Sequence, residues 1–275
     1  MHREKNLKKI IKHAVTGIAL VCSALTVTSA FAADSVIDSI LDSGELKVCF
    51  EAGYIPFEMK AKDGSFVGFD IDIGKQMARA MDVKFVPVNT AWDGIIPTLL
   101  TGKCDIIMGG MTITAQRNLK VNFSNSYITV GQTIVMSPKL AGKIKSFRDL
   151  NNSKYTITSH IGTTGAEAAK KYLPNAKLDL FETAADGVLQ VANGKADAFI
   201  YDLPFNAIYA SQHKDQVVHL DQPFTYEPLG WAIRPNDVNF LNFLNNYLAQ
   251  IKGDGTYDRI YDKWFKSDSW LDNIQ

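Results

Sequence analysis

Six residues of this chain could do chemistry by type and place: Glu51, Tyr54, Trp92, Arg117, His160 and Asp202. Each stands at or just past the end of a short apolar run. "LKVCF" leads into Glu51 and Tyr54, "KFVPVN" leads to Trp92, and "DIIMGG" opens into "MTITAQR", which carries Arg117. "YTITSH" ends at His160 and "DAFIYD" at Asp202. Gly109 and Gly110 let bare backbone come close to a ligand, and Thr114 is placed to cap a short helix with Arg117 in its first turn. Backbone N–H groups at a helix start with an arginine beside them suit a carboxylate. A lone Thr-x-x-Arg is more often a capped helix with a solvated guanidinium, and a lone aromatic is more often a core residue than a ligand contact. Taken together the set suits a zwitterion: Arg117 for its carboxylate, Asp202 for its ammonium, Tyr54 and Trp92 as apolar walls. His160, Gly162 and Thr164 of "SHIGTTGAEAA" would face the same space.

These residues meet only if the apolar runs are strands ending at one place. The chain alternates such runs with helical patterns, the grammar of parallel sheets covered by helices. "IDIGKQMARAM" reads as an amphipathic helix with Asp70 at its N-cap. The phrase "TAWDGIIPTLLTGKCDII", residues 90–107, returns as "TAADGVLQVANGKADAFI", residues 183–200. Two copies of one helix-to-strand unit, one in each of two lobes, explain the repeat. Extended patterns at "YITVGQTIVMS" and "LDQPFTYEPLGWAIR" flank the second unit and predict two crossings, with one lobe inserted in the other. The expected division is residues 33–130 for the first part of lobe one, 131–225 for lobe two, and 226–275 for the returning strand and two C-terminal helices joined at a Gly-Asp-Gly turn. The expected fold class is therefore α/β and two-lobed, with parallel-type sheets flanked by helices. Ligands of such sheets lie beyond the carboxyl ends of the strands, which here is a cleft between lobes.

Residues 1–32 read as an export signal. A cationic start is followed by an apolar stretch and by Ala30-Phe31-Ala32, a small-x-small cleavage pattern. Val21 before Cys22 does not fit lipid attachment, so the expectation is cleavage near Ala32 and an unlipidated, exported, monomeric protein of the periplasm. Setting the signal aside removes five basic residues and one acidic, so 29 of each become 24 and 28. That mild acidity gives no support to a nucleic-acid partner. About 240 residues remain, enough for two cored lobes. His160, His213 and His219 show no metal-ligand spacing, and no cofactor is expected. If Cys49 and Cys104 lie on neighbouring parallel strands whose ends align, they stand about three residues apart along the strands, roughly 10 Å. That exceeds the reach of a bridge, so two free buried thiols are expected.

The ordered set "GFDIDIGKQMARAM", "GGMTITAQR", "GTTGAE" and "GDGTYDRIYDKWF" resembles the solute-binding proteins of polar amino-acid ABC transporters, over essentially all of residues 34–267. The resemblance implies a type II-like periplasmic-binding-protein fold and an inner-membrane permease as partner. It also implies that Arg117, Gly110 and Thr112 hold an α-carboxylate with Thr164, that Asp202 holds the α-ammonium, and that Tyr54 and Trp92 sandwich the side chain with Glu51 at its far end. Relatives preferring basic amino acids often carry Asp where Glu51 stands, and glutamine binders often carry lysine where His160 stands. A carboxylate between two aromatic faces favours arginine or lysine, with glutamine or histidine behind. The competing reading is an enzyme, a cyclohexadienyl dehydratase on the same scaffold with Glu51 as general acid. A receptor sensor domain would require an anchor or output domain.

Overall fold

The computed structural model describes residues 35–274, so the signal reading over residues 1–32 lies outside the described residues. Two five-stranded sheets organise the molecule. The first contains β1 (Glu45–Phe50), β4 (Lys84–Asn89), β5 (Ile106–Ile107), β6 (Asn122–Phe123) and β14 (Ala232–Ile233), in the order β4-β1-β5-β14-β6. The second contains β8 (Gln132–Met136), β9 (Thr156–His160), β10 (Lys177–Phe181), β11 (Ala198–Asp202) and β12 (Val218–Leu220), in the order β10-β9-β11-β8-β12. A small hairpin of β2 (Met59–Lys60) and β3 (Phe66–Val67) follows β1. The strand order repeats in the two lobes, as the repeated phrase requires.

Each sheet is parallel except where the chain has just crossed over. The crossing strands β7 (Ile128–Val130) and β13 (Glu227–Leu229) pair antiparallel, Val130 opposite Glu227. After them β8 runs antiparallel to β11, and β14 runs antiparallel to β5. A chain entering a sheet from the carboxyl ends of its parallel strands must run the opposite way, so the crossings themselves impose the mixed sheets.

Helices cover both sheets. The first lobe carries α1 (Val36–Ser43), α2 (Phe69–Ala80), α3 (Ile95–Leu100), the single turn α4 (Ala115–Asn118), and the C-terminal pair α8 (Val238–Gly253) and α9 (Thr256–Phe265). The second carries α5 (Thr164–Tyr172), α6 (Ala184–Ala192) and α7 (Leu203–Gln212). The expected cap of α2 is corrected: Gly68 occupies the N-cap with φ 139°, and Asp70 lies buried in the first helical turn. A Cβ on Gly68 would come within 2.2 Å of the Phe57 carbonyl oxygen, so only glycine allows the chain to pass there. Asp70 is thereby turned inward instead of capping.

The repeated phrase has a physical reason at its end. Asp105 accepts a hydrogen bond from the backbone N–H of Lys47 at 2.9 Å and donates its own N–H to the Lys47 carbonyl at 2.8 Å. Asp197 makes the same pair with Thr156, at 2.8 and 2.9 Å. Each aspartate thus clamps the first strand of its sheet at the entry to the next parallel strand. Gly102 and Gly194 sit at φ 73° and 70° and turn the chain out of the preceding helix.

That turn overturns the free-thiol expectation. Cys49 and Cys104 form a disulfide with Cα atoms 5.8 Å apart. The aligned register was sound, since Cys49 lies opposite Ile107. The spacing along the strands does not carry back to residue 104, because the chain there is not extended along the strand direction. The chain leaves α3 through the Gly102 turn and enters β5 only at Ile106, so Cys104 lies over the face of β1 among Ile95, Leu99 and Ile107. Arg234 pins the turn, donating to the carbonyls of Leu99 at 3.1 Å and Cys104 at 2.7 Å. The corresponding residue of the second copy is Ala196, also buried.

Candidate ligand-binding site

The carboxyl ends of the two sheets' strands enclose a cavity of about 20 Å³, room for about one water molecule. Glu51, Tyr54, Trp92, Gly109, Gly110, Thr112, Arg117, Thr164 and Asp202 all line it, as do Glu58, Gln132, Thr163 and Tyr201. His160 does not. It sits behind Glu51, 1% exposed, with Nε2 3.4 Å from a Glu51 carboxyl oxygen. Burial depresses the His160 pKa to about 4, so the imidazole is neutral. The Glu51 carboxyl is pushed up to about 7, chiefly by burial and against a hydrogen bond from the Trp92 backbone N–H at 3.2 Å.

The cation end is built by the turn after β5. Thr114 caps α4, its hydroxyl accepting from the Arg117 N–H at 3.1 Å. The guanidinium then reaches back and donates to the Thr112 carbonyl at 3.0 Å and to the Gly162 carbonyl of the other lobe at 3.2 Å. Trp92 lies under it at 5.4 Å and its indole N–H donates to the same Gly162 carbonyl at 3.0 Å. Trp92 therefore packs against Arg117 as well as the cavity. The Thr112 and Thr164 hydroxyls meet across the lobes at 3.3 Å. Burial lowers the Arg117 pKa, while Glu227 and Asp202 counter the shift; Arg117 remains the one cation lining the cavity among the described residues.

The acidic end comes from both lobes. Asp202 closes β11 and is 6% exposed. Its carboxylate accepts from the Tyr54 hydroxyl and from Gln132 Nε2, each at 2.5 Å. Burial raises its pKa to about 7, partly offset by those two hydrogen bonds. Tyr54 is more than an apolar wall: its ring stacks on Phe57 at 4.5 Å while its hydroxyl bridges to the other lobe. Gly110, at φ 62°, is where that ring comes closest, since a Cβ there would lie 2.1 Å from Tyr54 Cε1. Asp70 supports the wall from behind, accepting from the Gly110 N–H at 3.0 Å and the Tyr127 hydroxyl at 2.8 Å.

Sequence reasoning missed Glu58, Gln132, Thr163 and Tyr201. Tyr201 and Gln132 stand at strand ends beside residues already chosen, a signal that periodicity along β11 and β8 could have supplied. Glu58 had no such signal. It lies past the strand end in "YIPFE", where its direction depends on a turn.

Comparisons with known proteins give the chain's relatives. The profile of the bacterial extracellular solute-binding proteins, family 3, matches residues 46–267. A Neisseria gonorrhoeae protein named "Probable histidine-binding protein" is 32% identical over 94% of this chain and 96% of its own length. A Wolinella succinogenes structure, described as an ABC-transporter binding component complexed with lysine, is 50% identical with a TM-score of 0.81, covering 84% of this chain and 99% of that one. An ancestral amino-acid-binding protein described as a precursor of cyclohexadienyl dehydratase is 48% identical with a TM-score of 0.79, covering 84% of this chain and 100% of that one.

Proposed function

The chain belongs to the bacterial extracellular solute-binding proteins of family 3, and from that membership we propose that it captures a cationic L-amino acid, arginine or lysine, for an ABC importer. The observation that carries the reading is the imbalance of charge around the cavity. Arg117 lines one end; Glu51, Glu58 and Asp202 line the rest. An α-carboxylate on Arg117 and an α-ammonium on Asp202 leave Glu51 and Glu58 without a counter-charge, which a positively charged side chain supplies. The lysine in the 50% identical Wolinella structure supports the same class.

Binding proceeds by exchange of partners. The α-carboxylate takes the guanidinium from its carbonyl acceptors, with Gly110, Thr112 and Thr164 beside it. The α-ammonium takes the place of the Tyr54 hydroxyl or Gln132 amide on Asp202. An amino acid needs far more space than about 20 Å³, so the lobes part to admit it and close again. The moving bodies are, within the described residues, 35–130 with 226–274, and residues 131–225, hinged at the β7–β13 pair. The closed state alone makes contacts from both lobes, so ligand shifts the population toward closure. An exported, periplasmic location fits the family and the buried disulfide, a bond that persists in oxidising compartments.

Isothermal calorimetry against the twenty amino acids tests the reading. Arginine and lysine should bind at least about tenfold more tightly than glutamine or histidine, and glutamate should not bind. Selective binding of histidine or glutamine would refute the cationic assignment. The second reading, a dehydratase, is favoured by a Pseudomonas aeruginosa protein named "Cyclohexadienyl dehydratase", 25% identical over 94% of this chain, and by the ancestral relative's description. It has little physical support, because prephenate brings two carboxylates to a cavity with a single cation. Consumption of prephenate by the purified protein would establish it.

A further inference from the structure

Glu51 and Glu58 are the two carboxyls that binding of the α-groups leaves over, and the surroundings of Glu58 separate its role from that of Glu51. Residues 54–58 form a tight turn around a cis Ile55–Pro56 bond. Gly53 N–H donates to the Glu58 carbonyl at 2.9 Å and Glu58 N–H to the Tyr54 carbonyl at 3.0 Å, which makes Tyr54 and Glu58 an antiparallel bridge pair. Side chains of such a pair point to the same face. The turn therefore sends the Glu58 carboxyl the same way as the Tyr54 ring, toward the cavity that both residues line. Glu58 is 1% exposed, yet its Oε2 has no hydrogen-bond partner. Its Oε1 lies under Gly109, within 3.3 Å of where a Cβ would stand, so glycine at that position keeps the way to the carboxyl open.

The titratable groups facing Glu58 are Asp70 of α2, Glu51 after β1, Tyr127 before β7 and Tyr201 of β11; none is a cation. Burial, together with Asp70 and Glu51, holds its carboxyl well above the usual carboxylate range. A buried acid without a donor or a counter-charge is costly to keep. The cost is recovered when a cation arrives.

We propose that Glu58 is a specificity-determining residue, a second carboxyl that receives the cationic head of the ligand side chain together with Glu51. The inference rests on the reading that this cavity binds an amino acid, and adds how a charged side chain is separated from a neutral one of the same shape. Glu51 stands at the more open rim, 20% exposed on its side chain, where solvent screens it. Glu58 lies deeper, where an uncharged head leaves it unpaired and a charged head ionises it. Discrimination therefore comes from the buried residue more than from the rim residue.

Calorimetry of the full protein with arginine and with citrulline, its uncharged isostere, tests this in wild type, Glu51→Gln, Glu58→Gln and the double variant. Glu58→Gln should weaken arginine by about tenfold or more and leave citrulline within about twofold. An equal loss for both ligands, or no loss for either, would assign Glu58 a structural role and overturn the proposal. Wild-type protein that binds neither of these ligands nor lysine overturns the cationic reading, and the role of Glu58 with it. Normal wild-type binding with an unresponsive Glu58→Gln overturns the role of Glu58 alone. If Glu58→Gln fails to fold, proton release by Glu51→Gln protein, measured at pH 7 in two buffers of different ionisation enthalpy, decides the question. Arginine should release about one proton more than citrulline, because Asp202 contributes equally to both; equal release overturns the proposal.

Discussion

Removing the Cys49–Cys104 disulfide should lower the melting temperature of the ligand-free protein without touching its ligand affinity. The bond joins residues 55 apart in sequence. Loop-closure entropy for a ring of that size is about 14 cal/mol/K, or about 4 kcal/mol at 25 °C. For a chain of this length each kcal/mol moves the midpoint by roughly 2–4 °C, so Cys49→Ala/Cys104→Ala should melt roughly 8–16 °C lower. Both half-cystines are fully buried against Ile95 and Leu99, on the helix-covered face of β1, and neither lines the cavity. Arginine affinity should accordingly stay within about twofold. Differential scanning calorimetry supplies the midpoints, and alkylation under denaturing conditions without reductant supplies the thiol state. Wild type should take up no label on these two residues. Reductant should lower the wild-type midpoint toward that of the double variant and leave the variant unchanged. A double variant that melts within about 3 °C of wild type, or a wild type that labels at both cysteines, would refute the reasoning.

Three further outcomes follow from the same structure. Asp105→Ala and Asp197→Ala each leave a strand N–H without its acceptor, at Lys47 and Thr156, and should each cost about 1–3 kcal/mol in chemical denaturation; a loss in one copy only would show that the repeated clamps are not equivalent. Glu51, Asp70 and Asp202 have folded-state pKa values raised to about 7, so the folded protein holds more protons than the unfolded chain above their ordinary values. Their contribution is present in full below about pH 4 and is lost as pH rises through 7, so the ligand-free midpoint should fall by about 3 °C or more between pH 5 and pH 8, and a midpoint that climbs over that window would contradict the pKa assignments. Gly110→Ala forces a Cβ within 2.1 Å of the Tyr54 ring at a left-handed φ of 62°; arginine affinity should drop about tenfold or more, and an unchanged dissociation constant would show that the ring moves freely aside.

Local pattern determined the order of strands and helices, the doubled unit at residues 90–107 and 183–200, and the strand ends that carry Glu51, Arg117 and Asp202. Those features depend on side-chain periodicity and on capping, which act over a few residues and can be read from neighbours in sequence. Thr114 and Arg117 belong to this group, because a cap and the first helical turn are fixed by residues three apart. Tertiary structure decided the rest. Whether Cys104 meets Cys49 depended on the path of a turn above the sheet, which the strand register does not encode. Asp70 looked like a cap, but the passage of Gly68 beneath the Phe57 carbonyl placed it inside the helix, facing Gly110 and Tyr127. His160 ended one layer behind the cavity because Glu51, from the other lobe, stands in front of it. Glu58 reached the cavity because the turn at residues 54–58 pairs it with Tyr54. Direction after a turn, and which lobe stands in front, are set by packing between segments far apart in sequence, where burial and hydrogen-bond satisfaction act on the whole fold.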